Sequence, residues 1–400
     1  MNNHVAVLGG RRPAYPPVLA LGFRPFYLLA GGFSALALPL WIATYFGIVQ
    51  PGGYLRGVAW HSHEMLFGFA PAVIAGFLLT AVRNWTGRPT PTGVPLAALA
   101  ALWVLARVLA LTGPAYTAAL VDVAFLPLLG LAVALPIWRG RNVRNLKIPV
   151  VLVGLTIANV SYHLAYLGVL PAEFMQVAVT AALDVITILM AIIGGRVIPA
   201  FTANAVAAAR PRRVVGVETV ALGSLVLILA AGILNFWSPL PSWFWFALLA
   251  TAAFAHGIRW LLWKPYHAYR SALLWMLPVA YAWIPIALAL RAFGQVAVIP
   301  PAAATHALTL GAMGGLMVAM MMRSALGHTG RALAAGPVEI AVFVLVELAA
   351  VARVLAVSVR PEFYHSALIA SGVLWASAFM VFLSRYRAIL TGPRIDGRPG

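Results

Sequence analysis

Twelve stretches of this chain, each about twenty residues or longer, are apolar along their length and carry very few charges. They fall at 22–48, 61–83, 93–112, 115–138, 146–169, 173–202, 216–236, 240–263, 272–293, 301–322, 337–358 and 363–386. A helix needs about 20 apolar residues to cross the hydrocarbon of a bilayer, so each stretch predicts one transmembrane helix. Closed barrels are the other spanning solution, and they read as short alternating segments, which this chain lacks. The predicted fold is therefore all-α, a polytopic membrane bundle of about twelve helices. Hydrophobic residues form 63% of the chain and charged residues 9%, more apolar surface than a soluble core of 400 residues needs.

The basic residues give the orientation. All of the 27 Lys and Arg except Arg56, Arg107, Arg291, Arg353 and Arg360 fall in alternate gaps between spans or in the tails. The positive-inside rule then places both termini in the cytoplasm of a bacterial inner-membrane protein. The chain divides into a tail at 1–21, one transmembrane domain at 22–386 and a second tail at 387–400. The start, MNNHVAVLGGRRPAYPP, is polar and Pro-rich and reads as a tail rather than a signal peptide. The net charge of +18 follows from this bias and suits anionic lipid headgroups. It does not predict a nucleic-acid partner, because the charges are spread over short loops. With no cysteine, the chain cannot use thiolate haem ligation, iron–sulfur clusters, covalent haem attachment or disulfides. A transition metal would have to use His, Met, Asp or Glu.

Ionisable groups inside lipid are costly, so their positions carry information. His61, His63 and Glu64 open the second span from the outer side. His163, Asp184 and His306 lie in the outer halves of the fifth, sixth and tenth, and His365 opens the twelfth. With Arg107, Asp122 and Arg353 they predict a polar site toward the periplasmic side. In W-H-S-H-E-M, residues two apart point to nearly opposite sides of a helix, so His61 and His63 face two centres, or one centre and one hydrogen-bond partner. Both could equally be interfacial histidines at a helix start. Glu64 reads as a proton relay or as a first-turn carboxylate favoured by the helix dipole. Asp184 reads as a second carboxylate able to bring protons. Met313, Met317 and Met320 continue one stripe from His306, as core packing or as soft metal ligands. Gly311 and Gly315 allow close helix approach or a flat macrocycle against the backbone. Arg107 and Asp122, at matching depth on adjacent helices, predict a buried ion pair. Arg353 pairs with Glu347 or binds a haem propionate. His163 is a ligand or a packing residue, and His328 a loop hydrogen-bonder or a ligand.

Three segments end alike: A-V-R-N-W-T-G-R at 81–88, G-G-R-V-I-P-A-F-T-A-N at 194–204 and M-M-R-S-A-L-G-H-T-G-R at 321–331. Arg83, Arg196 and Arg323 are 113 and 127 residues apart, four spans each time. The outer halves of these spans carry His63, Asp184 and His306. The pattern predicts three four-helix units about a pseudo-threefold axis, or convergent loop chemistry.

W-H-S-H-E-M-L-F-G-F-A-P-A-V-I-A-G-F-L-L-T-A-V-R-N-W-T-G-R, together with G-G-R-V-I-P-A-F-T-A-N, H-A-L-T-L-G-A-M-G-G and G-F-R-P-F, resembles the NnrS family of membrane proteins over nearly the whole chain. The resemblance implies about twelve spans, haem b and copper, and a role in nitric-oxide resistance or denitrification. The family's ligands map to His61, His63 and His306, with His163 and His328 as further candidates. An analogy with the haem–copper oxidases would make His63 and His306 the haem pair, with His61 serving a second centre. Where a further histidine is expected in the ninth span, this chain has Pro278. The twelve spans also resemble haem–copper oxidases, an analogy of fold that does not fix function.

Three functions compete. A haem and copper protein that binds nitric oxide, or transforms it as a haem-dependent oxidoreductase, would draw protons through Glu64 or Asp184 and electrons from a donor protein. A factor that handles haem or copper, or repairs nitrosyl iron, would hold exchangeable metal without turnover. A transporter for a metal or small solute would show an inverted repeat and broken helices at the midplane.

Overall fold

The computed structural model describes residues 15–296, 299–359 and 361–398. His4, Arg11, Arg12 and Arg360 lie outside the described residues. Every regular element among the described residues is helical. Twelve long helices follow one another: α1 Phe23–Tyr45, α2 Gly57–Thr86, α3 Gly93–Thr112, α4 Ala115–Arg139, α5 Val143–Tyr166 and α6 Glu173–Ala205, then α7 Val215–Leu234, α8 Ser242–Leu262, α9 Ala272–Phe293, α10 Pro301–His328, α11 Pro337–Val359 and α12 Tyr364–Thr391. Eleven of them contain an apolar window long enough to cross a bilayer, and α11, with 23 residues, is the twelfth. The chain is a multi-pass membrane bundle.

The helices outrun the apolar stretches because a backbone in lipid satisfies its hydrogen bonds only by staying helical until it reaches water. So α2 starts at Gly57, which puts His61 and His63 inside the helix rather than at its opening. At the other end α10 carries on to His328 and α12 to Thr391. The start of α1 and the end of α12 lie together at one end of the bundle, its basic end. There Arg24 donates to the carbonyls of Leu390 and Gly392 at 3.0 and 2.7 Å, joining the two helices. The tail beyond α12 docks on the loop after α10. Arg394 donates to the His328 carbonyl at 2.8 Å and pairs with Asp396 at 2.6 Å. Gly330, at φ +78°, leaves room for Asp396 that a Cβ would close to 2.9 Å.

The chain wraps so that α1 packs on α12, α5 on α4 and α9 on α8, while α2, α6 and α10 touch one another. The first and last helices thus close the bundle around these three. Val73, Ile74 and Phe77 of α2, Ile186 and Met190 of α6, and Met317 of α10 line an apolar cavity of about 80 Å³ between them. The methionine stripe is accordingly packed in apolar surroundings, with Met313 and Met317 buried. The three similar loop segments differ in detail. Gly87, in the left-handed region, closes α2, whereas α6 runs on to Ala205. Arg196 donates to Asn145, and Arg323 lies 3.8 Å over the Phe201 ring.

Close approach explains several glycines. A Cβ on Gly311 would enter the Trp283 ring, and one on Gly315 would meet the Ala280 Cβ at 2.8 Å. The G-x-x-x-G of α10 thus admits α9. Gly76 faces Tyr27, whose ring lies 2.7 Å from the ideal Cβ position and whose hydroxyl is hydrogen-bonded to Ser324 at 3.0 Å. Gly76→Ala is expected to destabilise by about 1–3 kcal/mol through overpacking. Gly223→Ala on α7, with nothing within 4 Å of its Cβ position, is expected to be neutral or stabilising. Thermal unfolding of the two variants in detergent compares them directly.

Candidate metal centre

Two of the three central helices change register beside a candidate histidine. In α2, residues Glu64–Phe69 form a π-helical stretch directly after His63. In α10, Ala307–Gly314 form another directly after His306. Such widened turns cost helical hydrogen-bond geometry and are frequent at functional sites. α6, which carries Asp184, has none.

His63 is fully buried and sits in a polar cluster built by α2, α3, α4 and α5. Its Nδ1 lies 3.0 Å from Glu64 Oε1. A carboxylate only accepts, so this nitrogen carries the proton and donates. The other nitrogen, Nε2, is then a lone pair. It faces Asp122 Oδ2, Asn159 Oδ1 and His163 Nε2, each at 3.2 Å. Asn159 is oriented by its own amide N–H, which donates to Asp122 Oδ2 at 2.8 Å. His163 Nε2 lies 2.9 Å from the same carboxylate oxygen, and Tyr54 OH holds His163 Nδ1 at 3.1 Å. By the acceptor rule His163 Nε2 donates to that oxygen, so the His63 lone pair faces two oxygen acceptors and one shared N–H in a buried interior.

Arg107 holds the carboxylates. It donates to Glu64 Oε2 at 2.8 Å and forms an ion pair with Asp122. The ion pair anticipated from matching depth is present, and it carries a second carboxylate. Both carboxylates and the guanidinium are buried. With neutral imidazoles the cluster bears one net negative charge, which favours a cation. His63, Asp122 and His163 each offer a ligand atom, all within 4.8 Å of one another. Two imidazoles and a carboxylate suit a first-row transition metal, whose bonds to such donors run about 2.0–2.2 Å. Separations of 2.9–3.2 Å between the donor atoms fit a shared ion of that radius.

His61 looks elsewhere. Its ring stacks on Trp41, with centroids 4.7 Å apart and planes 11° apart, and its Nδ1 is buried without a partner. His61 and His306 line one largely apolar cavity of about 210 Å³ with Ser62, Met313 and Trp375. His306 Nδ1 donates to the Ala302 carbonyl at 2.6 Å, which leaves Nε2 as its ligating atom. The structure therefore brings His61 to His306, while His63, two residues on, turns to His163 and does not line this cavity.

The remaining candidates are dispersed. Asp184 pairs with Arg291 of α9 at 2.6 Å. Arg353 donates to Tyr364 OH at 3.0 Å, and Glu347 instead accepts from Trp283 Nε1 at 2.6 Å, so the two do not pair. Arg353 NH1 is buried and unpartnered. His328 lies at the basic end against Phe23, away from the other histidines. His365 is near Tyr45, at 3.5 Å. Three participants do not stand out in the sequence: Tyr54, Asn159 and Tyr162, which donates to the Ala59 carbonyl at 2.7 Å. Asn159 has a signal all the same, since it sits four residues before His163 and hence on the same face of α5. A second buried network in the basic half, Glu218–Arg259–Tyr281–His256, has every side-chain polar atom partnered and reads as structural.

Arg107→Met strands two buried carboxylates and is expected to destabilise by about 3–5 kcal/mol. Adding Glu64→Gln and Asp122→Asn removes the stranded charges and should recover most of that loss. Thermal unfolding of the single and triple variants tests the balance.

A family profile described as "NnrS protein" matches residues 17–394, nearly the whole chain. Comparison with curated proteins finds no match. With twelve long helices and a profile match of this extent, the chain belongs to the NnrS family.

Proposed function

We propose that the protein holds a transition-metal ion between His63, His163 and Asp122 and binds or transforms nitric oxide there, within the membrane. Its role would lie in nitric-oxide resistance or denitrification. The supporting observation is the His63 lone pair, which faces a carboxylate oxygen and an amide oxygen, two acceptors, beside a second imidazole whose Nε2 points at the same spot. A cation at that point satisfies all three ligands and offsets the net charge. Copper is the ion the family suggests; two histidines with one carboxylate also suit non-haem iron. Either would offer an open coordination position to a diatomic gas. Nitric oxide is small and lipid-soluble, so it reaches such a site without a wide aqueous channel.

The chain's own residues have distinct parts in this reading. Glu64 fixes the tautomer and ring plane of His63, the arrangement common behind metal-bound imidazoles. Tyr54 does the same for His163. Arg107 holds both carboxylates ionised in place. The family resemblance implies haem b, and His61 with His306 would be its ligands; their shared cavity, about 210 Å³, would have to widen to admit the macrocycle, and Arg353, whose NH1 is buried without a partner, does not line it. Reduction of the gas would need an external electron donor, and Glu64 or Asp184 would bring the protons. The long helices run unbroken among the described residues, which favours a buried centre over the half-helix site of a transporter. The positive-inside pattern puts both termini in the cytoplasm and this centre in the outer leaflet of the bacterial inner membrane.

Metal analysis with absorption spectra of the purified protein, oxidised and reduced, before and after anaerobic nitric oxide, tests the reading. Bands that shift with the gas are expected. His163→Ala and His63→Ala should each lower metal affinity by about 10–100-fold or more. His61→Ala should leave that ion bound and change the haem spectrum. A colourless, metal-free protein that cannot be reconstituted would overturn the proposal.

A further inference from the structure

Asp184 is only 5% exposed, yet just one of its oxygens is used. Oδ1 pairs with Arg291 at 2.6 Å, and Oδ2 has no partner. A carboxylate oxygen left bare in a low-dielectric interior is costly, so something must solvate it. The surrounding space supplies a candidate. A cavity of about 700 Å³ lies among the ends of α6, α7, α8 and α9 opposite the basic end, lined by Glu173, Asn235, Gln176 and Gln295. A cavity of about 490 Å³ continues inward past Asp184 and Thr187 to Thr305 and His306. The two share Gln176, Thr180, Arg291 and Gln295, so they are contiguous. The inner one shares Thr305 and His306 with the apolar cavity that holds His61.

Both are roomy enough for several waters, and each offers a water two or more polar partners. The polar lining stops at Thr305 and His306; beyond them the walls are apolar apart from the edges of Ser62, His61 and Thr309. We propose that these two cavities form one water-filled passage from the non-basic end of the bundle to His306. The Asp184–Arg291 pair is its polar neck, and water and protons are its cargo. The passage does not depend on a bound metal. Its use, supply of water and protons to the cavity of His61 and His306, rests on the haem part of the function proposed above.

The absence of native cysteine makes the test direct. Thr180→Cys, Thr187→Cys and Thr305→Cys place thiols along the passage, and Ile193→Cys places one in the central apolar cavity. Each is treated in nanodiscs with a cationic, membrane-impermeant methanethiosulfonate, and labelling is followed by intact mass. Only a hydrated thiolate reacts, so the three passage positions should label at least about tenfold faster than Ile193→Cys. Adding Asp184→Asn to Thr305→Cys should slow the cationic reagent relative to an anionic one, because the neck loses its negative charge. Thr187→Cys and Thr305→Cys as inert as Ile193→Cys, in variants that keep the parent's thermal midpoint, would overturn the passage. A Thr305 labelling ratio untouched by Asp184→Asn would overturn the neck. Metal content is measured on the same samples: normal labelling in a protein that binds no metal would count against the proposed function and leave the passage standing.

Discussion

In the half of the bundle away from the basic end, the polar structure hangs on one guanidinium. Arg107 reaches from α3 to Glu64 on α2 and to Asp122 on α4, and it is buried with both. Two carboxylates this close repel each other, and neither has bulk water to disperse its charge. The guanidinium makes their ionised forms tolerable and fixes their directions. Glu64 then presents Oε1 to His63, and Asp122 presents Oδ2 to His63, His163 and Asn159. The geometry of two imidazoles on two helices is thus set by a charge on a third.

The same helix supplies two different environments from residues two apart. His63 faces the charged cluster and His61 faces Trp41 and the apolar cavity. The π-helical stretch that follows His63 in α2 has a counterpart after His306 in α10, and the two helices meet at the centre of the bundle. Helix α6 occupies the equivalent position without a widened turn, and its carboxylate is answered by Arg291 instead of by histidines. The three central helices therefore carry different polar chemistry in corresponding halves.

Much of this is legible in the amino-acid sequence. The helix number and approximate bounds follow from apolar length, because lipid allows few other solutions. The Arg107–Asp122 pair follows from matching depth on adjacent helices. The separation of His61 from His63 follows from the helical turn. The pairing of histidines between helices does not follow: the analogy with haem–copper oxidases joins His63 to His306, and the cavity at His306 is lined by His61. Rotation of a helix about its own axis is decided by the neighbours it packs against, and the π-helical register change alters that rotation midway. Tyr54 and the partner of Arg291 escape a reading of the sequence for a related reason. Tyr54 comes from a loop, and both contacts join residues distant in the chain.

Apolar length and the spread of charge are enough to specify a twelve-helix membrane bundle, the end that carries its basic residues, and a set of costly polar residues inside it, since burial energy and charge can be read residue by residue. Which of those polar residues meet is settled by tertiary packing. Convergence of His63, Asp122 and His163 depends on three helices arriving at one depth with the right faces turned inward. That outcome rests on side-chain packing and on Arg107 reaching Glu64 as well as Asp122, neither of which local sequence encodes.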